Sequence, residues 1–145
     1  MNETLVQQMK VVLASTFAFY LKAQNFHWNV EGPNFNDYHG FFGKIYEEVW
    51  GAVDAIAEEI RTLDSYVPGS LSRFSQLSKV DDQINIPNAK AMITELQSDN
   101  RLLIAELNKA FRLADDADKQ GLADFLAGRI DAHEKHGWML RAMSK

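Results

Sequence analysis

The sequence predicts an all-α fold, a four-helix bundle with a short helix in a long crossover between its second and third helices. Three observations carry this prediction. Apolar residues recur at three- and four-residue steps over long stretches, as one face of a helix requires. The prolines and their glycine neighbours, Gly32-Pro33, Pro68-Gly69 and Pro87, fall between those stretches. The 145 residues, 46% hydrophobic and 11% aromatic, supply enough apolar surface for one core.

Leu5, Met9, Val12, Thr16, Phe19 and Tyr20 mark the first helix, which nothing interrupts before Gly32 and Pro33. Asn34 suits the N-cap of a second helix. Its apolar positions are Phe35, Tyr38, Phe42, Ile45, Val49, Val53, Ile56, Ile60 and Leu63. From Asp64 to Ile86 the pattern dissolves, save for Leu71, Phe74 and Leu77, enough for one or two helical turns. Pro87 suits the first turn of a third helix through Met92, Leu96, Leu103, Leu107 and Phe111. Asp115, Asp116 and Asp118 break it before a fourth, which carries Leu122, Leu126, Ile130, His133, Gly137 and Leu140. Two helices, a long connection and two more helices describe the ferritin-like topology. Residues 1–145 read as a single domain, with no linker, repeat or low-complexity run.

Composition narrows the chemistry. Cysteine is absent, so disulfides, thiolate ligands and cysteine nucleophiles are excluded, and any metal must be held by nitrogen and oxygen. The same absence fits a reducing, cytoplasmic compartment. Val11 to Leu21 is about half the length of a membrane span and lies between Lys10 and Lys22, so neither a membrane anchor nor an export signal is expected. A net charge of −5 argues against a surface built to neutralise phosphates. No phosphate-binding glycine loop, Ser-His-Asp set or basic-aromatic alternation is present.

All four histidines fall in two clusters, His27 with His39 and His133 with His136. Only the first has carboxylates downstream at helical spacing, Asp54 and Glu58. At about 100° per residue with His39 at zero, Phe42, Ile45, Val49, Val53 and Ile56 cluster between about 240° and 320°. Trp50, Asp54, Glu47 and Glu58 fall at about 20°, 60°, 80° and 100°. The second helix therefore has a second face of aromatic and ligand-type residues. A solvated flank is the ordinary reading of a lone carboxylate, but an exposed Trp beside the set points to a contact surface. His39 and Asp54 are separated by roughly 22 Å of helix rise, whereas a ligand atom sits about 2 Å from its metal. One chain cannot bring them together. Two copies of the helix packed antiparallel about a twofold axis near Tyr46 and Glu47 would set His39 of one against Asp54 and Glu58 of the other. His27 reaches the same place because the Gly32-Pro33 turn folds the second helix back on the first.

At these residues the sequence resembles a known family. The run His27-Trp28-Asn29-Val30-Glu31-Gly32-Pro33-Asn34-Phe35, His39, and Asp54-Ala55-Ile56-Ala57-Glu58-Glu59-Ile60 resemble the Dps mini-ferritins, named for DNA-binding protein from starved cells. Gly128-Arg129-Ile130-Asp131-Ala132-His133-Glu134-Lys135 and Trp138-Met139-Leu140-Arg141 look like that family's last helix. The resemblance implies a hollow homododecamer that oxidises Fe(II), preferentially with hydrogen peroxide, stores ferric iron inside and protects against oxidative stress. It implies iron ligands at His27, His39, Asp54 and Glu58, shared between subunits. Asp118 and Asp124 are similar in placement to the family's pore acids, although the helix dipole alone also favours acids there. Trp28 and Trp50 would flank the site and absorb stray oxidising equivalents, with packing the alternative, above all for Trp28. His133, on the apolar stripe, is expected to be satisfied by a neighbouring carbonyl, and His136 to be exposed.

One position departs from the pattern. The family places an Asp one turn after the second histidine, and here Gly43 stands there. Gly43 falls at about 40° on the ligand face, and a helical Gly costs about 1 kcal/mol relative to Ala. Water in a void, a bulky neighbour or a rearranged metal site would each make it tolerable, and Glu47 would have to reach back about 6 Å to substitute. The alternative function is accordingly a structural or DNA-protecting cage whose oxidation site is weakened or lost. DNA binding itself has little support in the sequence, with only Lys10 basic in the first ten residues and Arg141 and Lys145 at the end.

Overall fold

The structure, a computed structural model, describes residues 2–145. Among them are five helices and no strand: α1 Glu3–Asn29, α2 Phe35–Thr62, α3 Leu71–Leu77, α4 Ala89–Asp116 and α5 Gln120–Met143. The all-α bundle with a short crossover helix is therefore observed as read from the sequence.

Side-chain caps start three of the helices. Asn2, Ser70 and Asn88 accept from the backbone N–H three residues on, at Leu5, Arg73 and Ala91, each satisfying an otherwise free donor. Asn34 is the N-cap residue of α2, but its side chain makes no capping bond. Pro87 stands just before the Asn88 cap rather than in the first turn of α4. Gly32 takes φ +121°, which a side chain would resist, and this reverses the chain between α1 and α2. Asp118, at φ 58°, ends the connection that separates α4 from α5.

Contacts between distant residues give the topology. Tyr20 packs on Tyr46 and Trp50, and His27 on His39, so α1 and α2 are antiparallel. Gln8 bonds Glu106 and Lys22 bonds Asp99, so α1 and α4 are antiparallel as well. Hence α2 and α4 run the same way, which only a long crossover permits. That crossover lies along α1, where Ser15 accepts from the Lys79 backbone N–H and Asn25 donates to the Gln83 carbonyl. Phe74 of α3 stacks on Phe17 at 4.8 Å.

The core is the apolar stripe of each long helix, with Phe19, Phe26, Phe42, Ile56, Ile60, Met92 and Leu96 fully buried. At about 25 cal/mol per Å² of apolar area, these side chains supply most of the drive for helix association. Phe26 and Phe42, with ring centroids 6.1 Å apart, lock the end of α1 to the start of α2. They are the immediate neighbours of His27 and Gly43. Lys22, 6% exposed, reaches Asp99 at 2.8 Å and Glu95 at 3.0 Å, so its buried charge is paired. No helix among the described residues is long and apolar enough to cross a membrane.

Candidate metal centre

His27 sits in the last turn of α1 and His39 in the second turn of α2, facing each other across the Gly32 turn. The His27 Nδ1–H donates to the His39 carbonyl and the His39 Nδ1–H to the His27 carbonyl, both at 2.7 Å. The rings stack with centroids 3.8 Å apart and planes at 16°. The His27 carbonyl lies where α1 runs out of intrahelical donors, so His39 serves as a side-chain cap for it. With each Nδ1 engaged as a donor, the neutral form of each ring has its lone pair on Nε2, and neither Nε2 has a hydrogen-bond partner among the described residues. A carbonyl that fixes the tautomer in this way is the usual second partner of a metal-binding imidazole. Rings this close to parallel keep their in-plane lone pairs in two separate, nearly parallel planes. They cannot both aim at one ion about 2 Å from each nitrogen.

Asp54 and Glu58 lie further along α2, both exposed. Among the described residues no three His, Asp or Glu side chains gather to hold a metal within one chain. The structure brings the two histidines together and leaves the two carboxylates apart from them, as the helix-rise argument requires of a single copy. Trp50, 52% exposed, shares that face and stacks on Tyr20 at 4.8 Å. Tyr20 lies 6.2 Å from Tyr46, and Tyr46 lies 5.2 Å from His27. A line of aromatic rings thus leads from the histidines to Trp50. Trp28, expected to pack, is 61% exposed in the single chain.

Gly43 is buried, and the reason is specific. A Cβ built there would lie 3.1 Å from His27 Nδ1 and 3.2 Å from its Cε1. Of the neighbours that could make a helical Gly tolerable, the bulky one is present, and it is the His27 ring.

The second histidine pair belongs to a different network. Arg129 grips Glu48 of α2 through two Nη–Oε bonds, and Glu48 Oε1 also lies 2.7 Å from His136 Nε2. Burial pushes the Glu48 carboxyl up, but His136 and Arg129 outweigh it and hold the group well below its ordinary range. Arg129 Nη2 donates to His133 Nε2, and His133 Nδ1–H donates to Asn100 Oδ1 at 2.8 Å, so His133 is a neutral δ tautomer. Burial first, then Arg129 and His136, push its pKa well below 6.5. The satisfying carbonyl is thus the Asn100 side chain, while Asn100 Nδ2 donates back to the His133 main chain. His136, expected to be exposed, is 5% exposed because Glu48 draws it into the α2–α5 interface. Sequence reasoning missed Glu48. Its partners are 81 and 88 residues away, and no spacing rule links them.

Asp118, in the connection before α5, and Asp124, near the start of that helix, are both exposed. A cavity of about 820 Å³ between α1 and α3 is lined by Phe17, Leu21, Leu71 and Phe74 and includes neither the histidines nor Asp54 and Glu58.

The family model described as a ferritin-like domain matches residues 6–145. The chain is 33% identical to the DNA protection during starvation protein of Brevibacillus brevis over 145 residues, covering 97% of each. It is 37% identical to a low temperature-induced protein of Nostoc sp. over 132 residues, 90% of this chain and 74% of that one. Among solved structures, Dps from Bacillus brevis superposes with TM-score 0.94 at 30% identity, over 99% of this chain and 96% of that one. Dps from Staphylococcus aureus does so with TM-score 0.94 at 28% identity, over 99% and 97%.

Proposed function

The chain belongs to the Dps branch of the ferritin-like family, and from that premise we propose that it is a mini-ferritin that oxidises Fe(II) and stores ferric iron. Two copies would pack α2 on α2, so that His27 and His39 of one and Asp54 and Glu58 of the other take Fe(II) as substrate, twice per dimer. Six such dimers would close a hollow dodecamer, in the cytoplasm, where Fe(II) persists. The observation that carries this reading is the pair of histidine Nε2 atoms left free by reciprocal Nδ1–H bonds to main-chain carbonyls.

Each residue type has a task. The imidazoles supply neutral nitrogen, and the carboxylates supply hard oxygen whose negative charge favours Fe(III) over Fe(II). Because the rings are nearly parallel they would not share one ion; each would serve its own, and two Fe(II) would supply the two electrons that hydrogen peroxide takes on reduction to water. Two Fe(II) lose one electron each, the O–O bond breaks, and two protons complete the two waters. The aromatic line from Tyr46 through Tyr20 to Trp50 stands where stray oxidising equivalents would be caught.

Following Fe(II) oxidation optically under limiting peroxide tests the proposal. The parent should run well above background, and His39→Ala and Asp54→Ala near it. Light scattering should give the mass of a shell, and one or two subunits at micromolar concentration would sink the storage reading. The second reading, a structural or DNA-protecting cage, is favoured by the names of several relatives. It prevails if the parent is as slow as His39→Ala while still forming a shell.

A further inference from the structure

We propose that Trp50 of one chain docks over Gly43 of a second copy, where the missing side chain leaves room for the indole, so that each metal site is walled by an aromatic ring from the neighbouring subunit. This rests on the twofold pairing of α2 that sets His39 against Asp54. Gly43 lies four residues after His39, and Trp50 four residues before Asp54. Antiparallel packing that joins His39 to Asp54 therefore joins Gly43 to Trp50, one turn nearer the twofold axis. Both belong to the face that carries the ligands, at about 40° and 20° around the helix.

The two positions complement each other in size. Trp50 is more than half exposed in the single chain, although an indole can bury about 150–250 Å² when a contact covers it. One face of the ring is already held, stacked on Tyr20 at 4.8 Å, so it meets the second copy with little conformational freedom left to lose. Opposite it α2 has no side chain at position 43, and the surface falls to the level of the His27 ring, the nearest group to a Cβ built there. A large side chain at one of the two positions fits only against a small one at the other. Phe35 stacks on His39 at 4.9 Å, so the incoming indole completes an apolar surround for the two imidazoles and keeps water from them. The aromatic line that leaves His27 of one chain thereby ends against the histidines of the other.

The test reads association and placement, both on metal-free protein. Subunit dissociation on dilution is followed by sedimentation for the parent, Trp50→Ala, Gly43→Leu and the double variant. Trp50→Ala should dissociate at concentrations at least about thirtyfold higher than the parent, the scale of an aromatic anchor. Gly43→Leu should also weaken association in the parent background, and in the Trp50→Ala background it should strengthen it by filling the space the indole left. Equal fold-changes in both backgrounds would overturn the proposal. Placement is read in a Trp28→Phe, Trp138→Phe protein, whose indole fluorescence comes from Trp50 alone. Acrylamide should quench Trp50 freely in dissociated subunits and poorly in the assembly, and Gly43→Asp, a smaller intrusion than leucine, should restore quenching in the assembly. A Trp50 that is quenched equally in both states would overturn the proposal even where Gly43→Leu does not fold. A parent that assembles while the two positions act independently overturns this proposal and leaves the shared metal site standing, whereas a parent that stays single at micromolar concentration overturns both.

Discussion

His27 and His39 each donate Nδ1–H to the other's main-chain carbonyl at 2.7 Å, so one pair of side chains both braces the α1–α2 hairpin and exposes two nitrogen lone pairs. Stability and chemistry are therefore tied at this point. His39→Ala removes one bond and the ring stack, and leaves the terminal carbonyl of α1 without its cap. We expect the metal-free protein to lose about 1 kcal/mol, read as a lower urea midpoint at unchanged slope. An unchanged midpoint would mean that the rings do not brace the hairpin.

Glu48 gives a pH dependence with a definite sign. Its folded-state pKa is lowered, so its contribution is fully present above the ordinary value of 4.5 and is lost as pH falls below it. His133, also lowered, acts in the same direction, its contribution fading as pH falls below 6.5. Urea midpoints of the parent should decline from about pH 6.5 and more steeply below 4.5. Glu48→Gln should be less stable at pH 7 and show a shallower decline in the acid range. Parallel curves for the two proteins would count against the Glu48–Arg129–His136 link as a source of stability.

Phe42, fully buried against Phe26, sets the distance between α1 and α2 beside the histidines. Phe42→Ala should cost about 3–5 kcal/mol in denaturant unfolding. Iron oxidation should fall with it even where the protein remains folded, because the His27–His39 brace depends on that packing. Retained oxidation in a folded Phe42→Ala protein would separate the brace from its support.

The parts of this molecule that obey a period were legible in the sequence. Phe42, Ile45, Val49, Ile56 and Ile60 repeat at helical steps and are buried as read, and Leu71, Phe74 and Leu77 lie in α3. The His27–His39 juxtaposition followed from the Gly32 turn. What depends on long-range packing was not legible. His136 has nothing near it in sequence to suggest burial, since its partner Glu48 arrives from another helix. At Gly43 the sequence shows a missing side chain but not the His27 imidazole that lies against the space it leaves. Pro87 fits a first helical turn by type, yet Asn88 behind it caps α4 with its side chain.

Binding to DNA should be weak at physiological salt, because a net charge of −5 per chain leaves few phosphate contacts to release counterions. A gel-shift assay with plasmid DNA checks this. Tight, salt-sensitive retardation would reveal a basic surface that assembly creates.

The central claim is that each oxidation site is built from two chains, and co-assembly of complementary variants tests it most directly. One variant carries His27→Ala and His39→Ala, the other Asp54→Ala and Glu58→Ala. Each alone should be inactive toward Fe(II). In a mixed dimer, however, the intact histidines of one chain meet the intact carboxylates of the other, so one of its two sites is whole. Random equal mixing, confirmed by mass, should restore about a quarter of the parent's oxidation rate. If mixed shells form and remain as inactive as the separate variants, the histidines and carboxylates do not share a site across the subunit contact, and the account is wrong.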